Sequence, residues 1–227
     1  MIRKVLKIIV GFLFKLLSHV HVTGLENVPQ NGGVILAVNH LSYLDAPLIF
    51  VVSTRDDVTA LVTSKYQKHW LFRRLINGVR GIWINREEAD VHALKAALAY
   101  LQQGGALGIA PEGTRSTTGS LIPAKTGAAY LATKAGVPIV PVAVTGTETA
   151  VRKLLSFRRP HITLRFGKPF HLPPLDRKDR AGSLQRNTDA IMCRIAALLP
   201  PEYRGVYADH PCLRELLHEE SLEAEHV

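Results

Sequence analysis

Short apolar runs alternate along the chain with longer stretches in which apolar residues recur every three or four positions. The first pattern suits buried strands and the second suits helices with one apolar face. From Val20, VHVT reads as a strand, the following GLENVPQNGG as a turn, and GVILAV as a buried strand ending at Asn39-His40. Helix is predicted from Asp45 to about Ser53, strand for DVTALVT, helix from Lys65 to Asn77, and a short strand from Gly81 to Ile84. The stretch from about Ala89 to Gln103 has helical spacing and stops at Gly104-Gly105, since glycine closes a helix without a Cβ penalty. GALGIA is the next strand, and Lys125 to Ala135 the next helix, closed by Gly136. VPIVPVAV reads as a strand whose prolines confine it to an edge or an irregular position, because proline gives the ladder no donor. HITLRFGKPF is a further strand, and Ser183 to Leu199 a helix stopped by Pro200-Pro201. Strands alternating with helices predict an α/β fold with a mainly parallel or mixed central sheet flanked by helices.

Residues 1–18, MIRKVLKIIVGFLFKLLS, stand apart. A basic start and apolar middle fit a signal peptide, but no small-residue cleavage site follows. Wound as a helix, the segment places Lys4, Lys7, Gly11, Lys15 and Ser18 on one side with Arg3 beside them, and fills the rest with Ile, Leu, Val and Phe. A basic amphipathic helix of this kind can lie in a membrane interface; a helix packed on the core with its lysines outward fits the pattern too. The expected organisation is an N-terminal membrane-associating helix at 1–19, a globular domain at 20–208 and an acidic tail at 209–227.

Composition narrows the setting. The chain has 227 residues, 47% of them hydrophobic, and no apolar run reaches the ~20 residues of a spanning helix. Net charge is +9, and residues 1–19, 58–86 and 149–175 carry lysines and arginines without one acid. Such a surface attracts anions: nucleic acid, an anionic lipid surface or a phosphorylated substrate. Cys193 and Cys212 are too few for a disulfide framework and read as reduced packing residues of a cytoplasmic protein.

Three polar clusters each follow an apolar strand: NHLSYLD, NR and PEGTR. In an open parallel sheet the carboxyl ends of the strands line one crevice, so the three would meet there. His40 with Asp45 suits general-base chemistry, the aspartate fixing the imidazole tautomer; a strand end followed by a helix cap would give the same spacing. Arg115 offers a planar fork for phosphate, Gly113 a close approach, and Thr114 a hydroxyl donor. Arg86 is either a second phosphate ligand or a surface ion pair. Lys125 near a helix start is either solvated or compensated by a bound phosphate. No GxSxG elbow supports a serine hydrolase, no GxGxxG or GxxxxGK[ST] supports the common nucleotide-binding modes, and the histidines lack HExxH or CxxC spacing, so no metal site is expected. Aromatic residues are too sparse, at 7%, for a stacking platform, and no nucleic acid partner is expected.

NHLSYLD resembles the first block of the glycerolipid acyltransferases of the lysophosphatidic acid acyltransferase type. GIWINR, PEGTRS and VPIVPVAV are similar to their second, third and fourth blocks, in the same order, over roughly residues 20–170. The resemblance implies transfer of an acyl group from acyl-CoA or acyl carrier protein, as co-substrate with no cofactor, to the sn-2 hydroxyl of 1-acyl-sn-glycerol-3-phosphate. It implies His40 as general base and Asp45 as its orienting partner. Glu112, Gly113 and Arg115 would bind the acceptor with Arg86 as a further ligand, beside Thr114 and Lys125 as read above from the residues, and Pro138 would shape the acyl-donor pocket. Membrane lipids and a lysophospholipid would be its partners, at the cytoplasmic face of a membrane, in monotopic or peripheral attachment. Acylation of another lysolipid, or a non-catalytic basic membrane-binding protein, are the alternatives.

Overall fold

The computed structural model describes residues 2–85 and 90–225. In chain order the elements are α1 (Ile2–Leu17), β1 (His19–Thr23), β2 (Val34–Val38), α2 (Asp45–Val52), β3 (Thr59–Thr63), α3 (Trp70–Gly78), β4 (Ile82–Ile84) and α4 (Val91–Gln102). They continue with β5 (Ala106–Ile109), α5 (Gly127–Ala135), β6 (Ile139–Thr145), α6 (Ala150–Leu155), β7 (His161–Phe166), α7 (Arg180–Leu198) and α8 (Pro211–Glu225). The strands form one seven-stranded sheet in the order β1-β7-β6-β2-β5-β3-β4. All neighbours are parallel except β6 and β7, so the sheet is mixed.

Alternation along β2 explains the layering. Ile35 and Ala37 face one side, with Leu101 of α4, Leu131 of α5, Ile191 of α7 and Leu213 of α8. Val34, Leu36 and Val38 face the other, with Leu48 and Ile49 of α2. All five residues of β2 are buried, as expected of a strand covered on both faces.

Several elements differ from the sequence reading. The strand that contains Pro141 is central, between β7 and β2. Its ladder with β7 begins at Val142↔Phe166, and the Pro141 carbonyl accepts the Gly167 N–H at 2.8 Å beyond that last rung. The donor that proline lacks would therefore face the β7 side, past the end of the ladder, and β2 loses no bond. Pro138 precedes the strand altogether. The helix expected over Lys65–Asn77 breaks at His69, which is extended (φ −93, ψ 110) between a 3-10 turn at Ser64–Lys68 and α3. The stretch expected as an acidic tail is the helix α8, whose Leu213 is fully buried. Cys193 is buried, its Sγ 3.3 Å from Nδ1 of His210; burial and the neighbouring Cys212 push its thiol far up from the usual range.

The first helix packs through a mixed face: Leu6, Val10 and Phe14 are half-buried, Phe14 against the core, with Arg3 and Lys7 beside them. Arg3 donates to the carbonyls of Val79 and Val58 at 2.6 Å each, and Lys7 to that of Ser53 at 2.7 Å. Val5, Ile8, Ile9, Phe12, Leu13 and Leu16 are exposed, Ile8 at 71%. No helix among the described residues is long and apolar enough to cross a membrane.

At the end of the sheet where β2, β3 and β5 begin, one arginine gathers three loops. Arg55, 6% exposed, donates to the carbonyls of Pro29 (3.0 Å), Gly32 (2.7 Å) and Gly104 (2.6 Å) and pairs with Asp57 through Nε and Nη2. The Asp57 side chain is 43% exposed, so the main loss on removing Arg55 is the donors to these carbonyls, about 1–3 kcal/mol for a buried group left unsatisfied. Arg55→Met should lower stability by that order in urea unfolding.

Candidate active site

At the other end of the sheet, β2 runs into Asn39. Its side-chain amide donates to the Val144 carbonyl (2.9 Å) and accepts from the Val144 N–H (2.7 Å), extending the pairing with β6 by a side chain. The chain then turns through His40–Leu44, and α2 opens at Asp45, so that its carboxylate lies back under the turn. Asp45 is 1% exposed. Oδ2 accepts from His40 Nδ1 (2.8 Å), the Leu41 N–H (2.8 Å) and the Ser42 N–H (2.7 Å), and Oδ1 accepts from Thr147 Oγ1 (2.6 Å). A buried carboxylate needs such donors to offset its lost hydration. With Nδ1 donating, Nε2 of the neutral imidazole is left as the acceptor.

The PEGTR turn follows β5, the parallel neighbour of β2. Glu112 is 2% exposed. Its Oε2 accepts the His40 N–H at 3.2 Å, and the Ser116 N–H donates to the His40 carbonyl at 2.8 Å. Both backbone groups of His40 are thus held by this turn. Glu112 Oε1 is buried with no hydrogen-bond partner among the described residues. Burial raises its pKa to about 8, with the Asp45 charge adding to the rise and the amides of His40 and Ile122 opposing it. Glu112 therefore lies under the histidine backbone, whereas the sequence reading had it facing the acceptor.

The Arg115 guanidinium lies 3.5 Å over the Tyr43 ring, a cation–π contact, and makes no hydrogen bond or ion pair among the described residues. Gly113 has φ 71, and a Cβ there would come within 3.0 Å of the Lys125 side chain, so glycine lets the lysine stem cross the turn. Thr114 and Lys125 are exposed beside it. His40, Asp45, Glu112, Gly113, Thr114, Arg115 and Lys125 are thus brought together. Pro138 is not: its neighbour Ile139 pairs with Ile35, at the far end of the strand from His40. Arg86 lies outside the described residues. Thr147 was missed by sequence reasoning, although it follows an apolar strand as the other clusters do; the prolines had moved that strand away from the centre.

Residues 19–145 match the family model described as Acyltransferase. The chain is 33% identical over 149 residues to the 1-acyl-sn-glycerol-3-phosphate acyltransferase of Borreliella burgdorferi, covering 60% of this chain and 55% of that protein. It is 26% identical over 187 residues to that of Bacillus subtilis, covering 82% of this chain and 91% of that one. The chain thus spans little more than half the length of the first of these relatives. The crystal structure of the 1-acyl-sn-glycerophosphate acyltransferase PlsC from Thermotoga maritima is similar with a TM-score of 0.64 and 25% identity, over 85% of this chain and 77% of that one.

The raised pKa of Glu112 has a measurable sign. The folded protein keeps a proton that the unfolded chain releases above its ordinary value of 4.5. Stability should therefore fall as pH rises from 4.5 to about 8 and level off above, with a slope of at most about 1.4 kcal/mol per pH unit from this group. Urea unfolding across that window should show a shallower slope for Glu112→Gln than for the unaltered protein.

Proposed function

Because the chain belongs to the Acyltransferase family, we propose that it transfers a fatty acyl group from acyl-CoA or acyl carrier protein to the sn-2 hydroxyl of 1-acyl-sn-glycerol-3-phosphate, giving phosphatidic acid. The observation that carries this reading is the His40 Nδ1–Asp45 contact of 2.8 Å, beside the Arg115 guanidinium. His40 Nε2 takes the hydroxyl proton as the oxygen attacks the thioester carbonyl. The C–S bond then breaks, and the thiolate leaves with the proton from the imidazolium. Asp45 holds the tautomer and stabilises the imidazolium. Arg115, with Lys125, grips the acceptor phosphate. No cysteine or serine nucleophile is needed. The outward apolar face of α1 rests in the interface where both greasy substrates reside.

His40→Ala should lose nearly all thiol release with lysophosphatidic acid and a range of acyl donors, while remaining folded by circular dichroism. Turnover near the original rate would remove the base from this reading. Arg115→Ala should raise the acceptor KM by roughly 10- to 100-fold, the equivalent of one or two charge-assisted hydrogen bonds. A panel of other lysolipids tests the choice of acceptor.

A further inference from the structure

The segment from Ser64 to Gly78 presents an apolar and basic surface that the proposed chemistry does not use. Trp70, Leu71 and Phe72 are 70%, 50% and 51% exposed, and large apolar groups clustered on a surface mark an interaction site. Lys68, Arg73 and Arg74 are exposed around them, and the sequence has no acid anywhere from residue 58 to 86. Half-buried Leu75 and Ile76 anchor α3 from within; Ile76 packs against Gly81, where a Cβ would come within 2.5 Å of it.

The surface is joined to the site at one end and to α1 at the other. Tyr43, in the turn that carries His40, meets Tyr66 edge-on at 6.4 Å, and Tyr66 meets Phe72 at 5.7 Å. The last residue of α3, Gly78, lies against Ile2, and Arg3 bonds the next carbonyl, that of Val79.

We infer that α3 is a second lipid-docking element: Trp70, Leu71 and Phe72 enter the headgroup boundary of an anionic bilayer while Lys68, Arg73 and Arg74 meet its phosphates. Tryptophan and arginine suit that boundary, each with an apolar body and a polar end. The positive charge selects an anionic lipid surface over a neutral partner.

Trp70 reports on this directly, because the chain has two tryptophans and Trp83→Phe leaves it alone. With vesicles of equal parts phosphatidylglycerol and phosphatidylcholine, its emission should shift to the blue and be quenched by lipids brominated on the acyl chain. Subtracting Trp70→Phe from the unaltered protein gives the same reading if Trp83→Phe does not fold. Arg73→Gln with Arg74→Gln should weaken vesicle binding roughly 30-fold, at about 1 kcal/mol per basic residue, and leave turnover of a short-chain soluble acceptor unchanged. Vesicle binding with Trp70 emission unmoved overturns the proposal and leaves α1 as the sole anchor. Unchanged affinity of the double variant overturns it as well. So does a blue shift that needs no vesicles and grows with protein concentration, which would mean self-association. No turnover by the unaltered protein on any acceptor would count against the proposed reaction, while the vesicle readings still decide this element.

Discussion

The Asp45 carboxylate organises the site. It is buried at the head of a helix and receives four donors from two parts of the chain: the ring of His40 and two amides of the same turn, and a threonine beyond β6. A carboxylate so placed must be fully satisfied or it destabilises the fold. The need for donors therefore fixes the turn, the ring orientation and the spacing of β2 and β6 together. The PEGTR turn adds a second constraint by holding the N–H and carbonyl of His40.

Most strands and helices were legible because their apolar spacing is strong, as in β2 and α4. Their order in the sheet was not, since periodicity carries no information about neighbours. Proline in β6 argued for an edge, yet the ladder with β7 simply stops one residue short of Pro141. The same misplacement hid Thr147; Pro138, which the resemblance gave to the acyl-donor pocket, lies at the opposite end of the sheet from His40. His40, Asp45 and Arg115 were legible as a cluster; the burial of Glu112 was not, since a carboxylate in a Gly-containing turn reads as a surface group.

Charge was legible in amount but not in direction. The side of α1 that carries Arg3 and Lys7 faces the protein, where both bond backbone carbonyls beside half-buried Leu6, Val10 and Phe14, and Val5, Ile8, Ile9, Phe12, Leu13 and Leu16 face out. Periodicity gives a helix two faces and cannot say which one the body takes; that choice depends on which groups of the neighbouring loops lack partners.

The passage from α1 into β1 has no slack. Ser18 N–H and Oγ both donate to the Phe14 carbonyl, His19 N–H donates to that of Pro160, and Arg159 Nη2 bridges the carbonyls of Lys15 and Ser18. Helix and sheet are welded without a hinge. Under the proposed interfacial seating of α1, this junction would hold the imidazole at a set distance from the helix's outward face.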